Sequence, residues 1–329
     1  MATVGIIANP ISGKDIRRLV AHGSVFDNQE KVRIVRRMLM GLQAAGVESV
    51  VYMPDGYAIV DRALRGCAVS MKVAPLPMPI DNNQDDSIRA GRRMDENGVD
   101  AIIVLGGDGT CRAVAKGTTR VPLLPISTGT NNVFPYMIEA TVAGLAAGLI
   151  AVGAVSEEEG TYRSCRLEVA KKGALIDTAL VDVAVYNDLF VASRAIWDMS
   201  KVTQIFLTRC RPDSIGLSAI GGQLRTIAPQ EPKGLHLVLG NGLQEVTAAI
   251  APGLLQTVAV REVQEMLIGE LFPVATAPCV LALDGEREVE VRKDRRVSVR
   301  LSDQGPLVID VARTMATAQK AGVFSKTIR

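Results

Sequence analysis

The chain has 329 residues, 48% of them hydrophobic and 22% charged, with a formal net charge of +2. That length exceeds what a single hydrophobic core usually organises, so two domains are expected. The near-balanced charge gives no whole-chain attraction to nucleic acid or to an anionic membrane, and neither is expected as a partner.

Val4 to Ala8 is a β-branched run that ends in Asn9-Pro10 and reads as a strand. Gln29 to Ala45 has helical spacing, with Val32, Val35, Leu39 and Leu42 on one face and Gly46 as its stop. Val47 to Met53 reads as the next strand, ended by Pro54-Asp55-Gly56, and Asp85 to Asn97 as a helix capped by Gly98. Ala101 to Leu105 is wholly apolar, and Val121 to Ile126 is another short run. Continuous apolar strands alternating with helices predict an α/β domain with a parallel sheet covered on both faces. Ala140 to Val155 holds one polar residue, Thr141, between Glu139 and Glu157-Glu158-Glu159. It is shorter than a membrane span and reads as a buried helix.

The second half changes character. Arg166 to Ala170, Lys171-Lys172-Gly173 and Ala174 to Tyr186 read as a hairpin. Leu235 to Leu239, Val280 to Leu283, Glu288 to Arg292 and Val297 to Leu301 read as further strands of a mainly antiparallel, β-rich domain. The expected division is residues 1–157, 158–305 and a C-terminal segment 306–329 that returns to the first domain. Mixed signs between Glu286 and Arg300 read as the solvated face of a hairpin rather than a nucleic-acid patch.

Five isolated cysteines without a CxxC pair, and two histidines, suggest neither a zinc site nor a disulfide framework. Reduced thiols fit a cytoplasmic location, and the first residues lack the basic start and long apolar run of a signal peptide. Cys111 follows a candidate loop at a helix N-terminus, where a thiolate would be favoured; a buried, inert thiol is the competing reading.

Chemistry concentrates at strand ends. Ala101 to Leu105 runs directly into Gly106-Gly107-Asp108-Gly109-Thr110. Open α/β sheets bind ligands at that edge. Glycines let a polyphosphate approach the backbone, and a helix starting near Thr110 would aim free N–H groups at it. Asp108 then stands where it can meet a metal ion or an attacking hydroxyl. Ser127-Thr128-Gly129-Thr130-Asn131-Asn132 follows the next strand and offers hydroxyls and amides on the same edge. The first loop, Ala8 to Asp15, nearly mimics a Walker A motif. It fails at both ends, with Ala8 for the first Gly and Asp15 for Ser or Thr.

These residues carry a resemblance to the superfamily of NAD kinases, diacylglycerol and sphingosine kinases and phosphofructokinases, which share the Gly-Gly-Asp-Gly loop. Within it, the chain resembles the acetoin-catabolism protein X family, on Asn9-Pro10 through His22-Gly23-Ser24, the phosphate loop and Thr128 to Pro135. The resemblance implies an ATP-dependent kinase using Mg2+ to phosphorylate a small-molecule hydroxyl, NAD itself being one acceptor, in a homodimer or tetramer. It implies nucleotide contacts at Asn9, Gly106, Gly107, Gly109, Thr110, Thr128, Gly129, Thr130, Asn131 and Asn132. Asp108 matches the aspartate that activates the hydroxyl or organises the metal. Asn187-Asp188 resembles an Asn-Glu pair that holds the acceptor's ribose. Ser218, Gly221 and Gly222 match a segment beside the nucleotide, but its tyrosine is missing here. Asp284-Gly285-Glu286 resembles the lipid-kinase Asp-Gly-Glu, whose glutamate is the base; Asp-Gly is also a common hairpin turn. The base is therefore Asp108 or Glu286. The acceptor alternatives are a polyol, a hydroxyketone or a lipid-like alcohol, and a nucleotide-binding regulator without transfer activity is the third reading.

Overall fold

A computed structural model describes residues 1–13, 22, 26–187, 198–285, 287–292 and 296–325. The first domain alternates β1 (Thr3–Ala8), α1 (Asn28–Ala44), β2 (Ser49–Tyr52), α2 (Ile59–Leu64), β3 (Lys72–Pro75), α3 (Gln84–Glu96), β4 (Ala101–Gly106), α4 (Asp108–Gly117) and β5 (Leu123–Ser127). It continues with α5 (Ala140–Ala151), the single turn α6 (Glu157–Gly160) and β6 (Thr161–Arg163). β1 pairs in parallel with β2 and β4, β2 with β3, and β4 with β5. Every residue of β4 is buried, as expected of a central parallel strand with helices on both faces. α1 and α5 pack on one face through Val35, Leu39, Ala143 and Ala147. α3 and α4 cover the other through Ala90, Met94, Cys111 and Val114.

Side chains fix where the helices begin. Asp27 caps α1 by accepting from Glu30 N, and Asn83 caps α3 by accepting from Asp85 N. α5 owes its Ala/Gly-rich sequence to a close crossing with α1. A Cβ on Gly41 would lie 2.3 Å from Thr141 O, and one on Gly144 2.3 Å from Met38 O, so the helices touch backbone to backbone. Among the described residues no helix is long and apolar enough to cross a membrane.

The second part comprises β7 (Arg166–Lys171), β8 (Ala174–Ala179), β9 (Asp182–Tyr186), β10 (Val202–Leu207), the short α7 (Leu217–Gly222), β11 (Lys233–Ala251), β12 (Leu254–Leu267), β13 (Leu271–Pro273), β14 (Cys279–Leu283), β15 (Arg287–Val291) and β16 (Val297–Ser302). They form two antiparallel sheets, ordered β12-β11-β10-β9-β14-β15 and β13-β16-β7-β8. Leu167, Val169, Val183, Val185, Leu281 and Val299 pack between them. α7 covers the outer face of the larger sheet through Leu217, Ala219 and Ile220. The chain then returns to the first sheet. β17 (Leu307–Ile309) pairs with β5 in parallel and with β6 antiparallel, and α8 (Val311–Lys320) follows.

The α/β domain with its parallel sheet and the β-rich second domain both stand as the sequence predicts. One predicted strand divides. Ala174 to Tyr186 is two strands, β8 and β9, in different sheets. Between them the N–H groups of Leu180, Val181 and Asp182 leave the ladder and point at the Asp284 carboxylate. α2 and β3 have no counterpart in the sequence reading, because neither carries a long periodic stripe.

Candidate functional site

β1, β4 and β5 end side by side, and the segments that follow them are tied together. Gly107 is the N-cap of α4 and Asp108 its first residue, so the helix starts two residues earlier than predicted. Asn9 Nδ2 donates to Thr110 Oγ1 at 2.9 Å, while Asn9 Oδ1 accepts from Ile11 N and shapes the turn. Ser12 Oγ and Thr128 Oγ1 lie 2.9 Å apart, and Thr128 N donates to Gly106 O. Asn132 Nδ2 donates to Ser127 Oγ at 2.8 Å and also reaches Gly129 O. Thr130 lies half-buried in the same stretch, and Gly109 O accepts from Gln84 Nε2.

The glycines answer to space. A Cβ on Gly106 would lie 2.4 Å from Thr110 Cβ, and one on Gly107 2.7 Å from Asn132 Oδ1. Gly107 has φ −102°, ψ −171°, open to any residue. Its lack of a side chain serves the approach of the next loop, not an unusual backbone angle.

Lys31 is fully buried on α1. Its Nζ donates to Asn9 O at 2.8 Å, Ser12 O at 2.7 Å and Asn28 Oδ1 at 3.1 Å. A lysine inside a core needs such partners. Here they anchor the turn after β1 from beneath, which nothing in the sequence signalled.

Asp108 is held from the β5 side. Phe134 N donates to its Oδ1 at 2.7 Å, and Val133 N donates to both oxygens at 3.1 and 3.2 Å. The Phe134 ring lies 4.5 Å under the Arg209 guanidinium, and Arg209 Nη2 donates to Ser164 Oγ at 2.5 Å. Thus the second domain helps to aim the first domain's carboxylate.

A narrow cleft of about 50 Å³ opens beside Asp108, lined by Asn131, Val133, Asp182, Ile215, Gly216, Leu217, Ile250, Asp284 and Gly285. Gly216 has φ +75°, which favours glycine, where the chain enters α7. Asp284 (φ +50°) and Gly285 (φ +65°) form the turn predicted from Asp-Gly. Asp284 is also a buried anchor, accepting from Leu180 N, Val181 N and Asp182 N. Arg112, 1% exposed on α4, donates Nη1 to Leu283 O at 2.8 Å and brings Nε to 3.9 Å from Asp284 Oδ2. Burial pushes the Asp284 carboxyl above the ordinary value, against the pull of Arg112 and the three amides.

Not all expected residues meet here. Both Asn131 amide atoms are buried and without a hydrogen-bond partner. Asn187 is exposed at the end of β9, its N–H donating to Lys201 O, and it does not line the cleft. Ser218 is fully buried and donates to Arg209 O at 3.1 Å. Gly221 and Gly222 pack against Leu207 and Arg211 O. Asp188 and Glu286 lie outside the described residues. Sequence reasoning missed Asp182, Arg112 and the anchoring role of Asp284, whose partners stand 102 to 171 residues away.

A larger groove of about 610 Å³ lies at the far end of α4, between Lys116, Arg120, Arg166 and β8. It contains none of the residues singled out above, and its cations are paired: Lys116 with Asp177, Arg120 with Asp95, Arg166 with Glu168. The smaller cleft is the one beside Asp108.

No group of three or more His, Cys, Asp or Glu among the described residues is arranged to hold a metal ion. Among the residues lining the cleft, Asp108 is the carboxylate at the N-terminus of α4.

Residues 4–155 match the family model of the ATP-NAD kinase N-terminal domain, and residues 165–304 that of the acetoin catabolism protein X C-terminal domain. The chain is 39% identical to acetoin catabolism protein X of Cupriavidus necator strain H16, covering 96% of this chain and 92% of that protein. Two solved structures from Bacillus anthracis strain Sterne, carrying a provisional diacylglycerol kinase designation, are each 14% identical. Their TM-scores are 0.47 and 0.43, with 94% of this chain covered and 97% and 98% of theirs.

Proposed function

The chain belongs to the acetoin catabolism protein X family, and from that premise we propose that it transfers the γ-phosphoryl group of ATP to a hydroxyl of a small molecule. The observation that carries the reading is the cross-bonding of three strand-end segments around the N-terminus of α4, with Asp108 facing a cleft. The ATP-NAD kinase N-terminal match over residues 4–155 supports it.

Phosphoryl transfer asks a protein for position and charge stabilisation more than for covalent help. The first turn of α4 offers N–H donors to the phosphates. Bound ATP supplies the phosphoryl group, and Mg2+ offsets its charge. Amides from Val133 and Phe134 fix the direction of Asp108, which receives the proton of the acceptor hydroxyl or contributes one oxygen to the metal. NAD is the acceptor that the ATP-NAD kinase likeness suggests. The absent tyrosine in Ser214 to Gly222 counts against it.

Calorimetric titration with ATP-Mg2+, followed by transfer of labelled phosphate to a panel of hydroxyl compounds, tests the reading. Tight ATP binding and a labelled product are expected. A protein that binds no nucleotide would refute it, and nucleotide binding with no product from any acceptor would favour a regulator.

A further inference from the structure

The chain crosses between its two domains twice, at Ser164-Cys165 from β6 to β7 and at Asp303 to Pro306 from β16 to β17. The two crossings are tied into one junction. Ser164 N donates to Pro306 O at 3.0 Å, and Arg163 Nη1 donates to Gly305 O at 3.0 Å. A Cβ on Gly305 would collide with Ser164 O, so the crossings touch backbone to backbone.

Arg209 of the second domain stands at this junction. It is 3% exposed, and a guanidinium so deeply buried is ordinarily paired with a carboxylate. Here Nη2 goes to Ser164 Oγ, and Nε and Nη1 bond to no carboxylate among the described residues. What the charge meets is the face of the Phe134 ring, 4.5 Å from Cζ. Away from water such a contact holds more strongly than on a surface. Phe134 is buried in a cluster that also contains Leu180 and Val181 of the second domain and Val308 of the returning segment. Its N–H donates to Asp108 Oδ1 at 2.7 Å, shorter than either contact from Val133 N. Ring and amide belong to one residue, so the cation that fixes the ring also fixes the direction of the N–H.

We infer that Arg209 is a positioning residue for Asp108, acting through Phe134, and that it makes the aim of that carboxylate depend on the apposition of the two domains. With the guanidinium on the ring, the amides of Val133 and Phe134 face Asp108. With the domains parted, the ring loses its cation and the amides lose their direction. Arg209 is not among the residues that line the cleft. The inference rests on the phosphotransferase reading for what Asp108 does once aimed, and not for the coupling itself.

Two measurements on the full chain test it. The first is amide hydrogen exchange by NMR in the unsubstituted protein, Arg209→Met and Arg209→Lys. Arg209→Met should speed exchange at Val133 and Phe134 while β4 stays protected, and Arg209→Lys should restore part of the protection. The second is transfer kinetics with the acceptor found in the labelled-phosphate screen. Misdirecting a reacting group from a distance costs about tenfold to 10²-fold, so Arg209→Met should lower kcat by that order. KM for ATP should change less than about twofold, the mark of a loss confined to the transition state. In an Asp108→Asn background the same substitution should cost little more, because the group it aims is already disabled. Phe134→Leu, which keeps the N–H and removes the ring face, is read in the same way should Arg209→Met fail to fold. Unchanged exchange at the two amides, a rise in KM with kcat intact, or an equal loss in both backgrounds would overturn the inference. Faster exchange at Val133 and Phe134 in a protein that transfers no phosphate would uphold the coupling and defeat the kinase instead.

Discussion

Arg112 Nη1 donates to Leu283 O across 2.8 Å, joining the helix that opens with Asp108 to a strand 171 residues further on. The same guanidinium faces the wholly buried carboxylate of Asp284. Cutting one member from a buried pair leaves the other without compensation, at a cost of about 3 kcal/mol or more. Arg112→Met and Asp284→Asn should each lower stability by that order in urea unfolding. The double variant should lose clearly less than the sum, since the two residues share one interaction. Additive losses would show that the 3.9 Å approach carries no energy.

Asp108→Asn keeps the size of the side chain and an acceptor for Phe134 N. If Asp108 takes the proton or holds the metal, turnover should fall by roughly 10²-fold or more. Steady-state kinetics and ATP titration separate the roles: ATP affinity falls little if Asp108 acts on the acceptor, and more if it holds metal. Glu286→Gln is the matching change for the lipid-kinase mechanism, and should have the smaller effect. The reverse order of effects would move the base to the second domain.

Gly107→Val should abolish ATP binding in a chain that still folds. The added carbon would meet Asn132 Oδ1 at 2.7 Å, the far end of a side chain that can move aside, so global stability survives. The displaced Asn132 would lose its grip on Ser127 and Gly129. Circular dichroism and calorimetry check both halves, and normal ATP affinity would count against the site.

Thiol chemistry offers a third test of the packing. Cys111 is fully buried between α4 and the sheet, which decides for the inert reading. Burial pushes Cys210 up to about 12 and Cys279 up to about 11, so both are protonated at neutral pH. Cys67 is partly exposed. Mass-spectrometric mapping of alkylation at pH 7.5 should find Cys67 labelled first. Early labelling of Cys111 would mean that α4 opens in solution.

His236 stacks on Phe206 with ring centroids 4.5 Å apart. Burial pushes its imidazole down to about 4. Its Nε2 faces Gln204 Nε2 at 3.0 Å, whose partner oxygen already accepts from Ala275 N, so the ring nitrogen must accept and the ring stays neutral. The unfolded chain binds a proton near pH 6.5 and the folded chain only near 4. Stability is therefore full above pH 6.5 and falls as pH drops toward 4, by up to about 3 kcal/mol. Urea unfolding at pH 7 and pH 4.5 should show the loss, and His236→Phe should flatten it.

The parallel sheet was readable because β1, β4 and β5 are built on apolar runs, Val4 to Ala8, Ala101 to Leu105 and Leu123 to Ile126, and the segments after them were readable because small polar residues crowd there. The site's cross-domain half was not. Arg112 looks like any helix residue. Asp284 looks like any turn residue, and only the fold brings the amides of Leu180 to Asp182 beneath it. The strand break at Leu180 is equally silent, since the run from Ala174 to Tyr186 keeps its β-like composition across it. β17, three residues long, carries too little pattern to read as a strand, although the return of segment 306–329 to the first domain is expected from the sequence.

The seam where Gly41 meets Gly144 reaches further than its own packing. Lys31 stands ten residues earlier on the same helix, about 15 Å along its axis, gripping the carbonyls of Asn9 and Ser12. A rigid rod pressed at one end tilts at the other. Gly144→Val would wedge α1 away from α5, and Lys31 would drag the turn after β1 with it, loosening Asn9 from Thr110. A change at either glycine would thus reach the Asn9–Thr110 bond, although neither glycine lines the cleft.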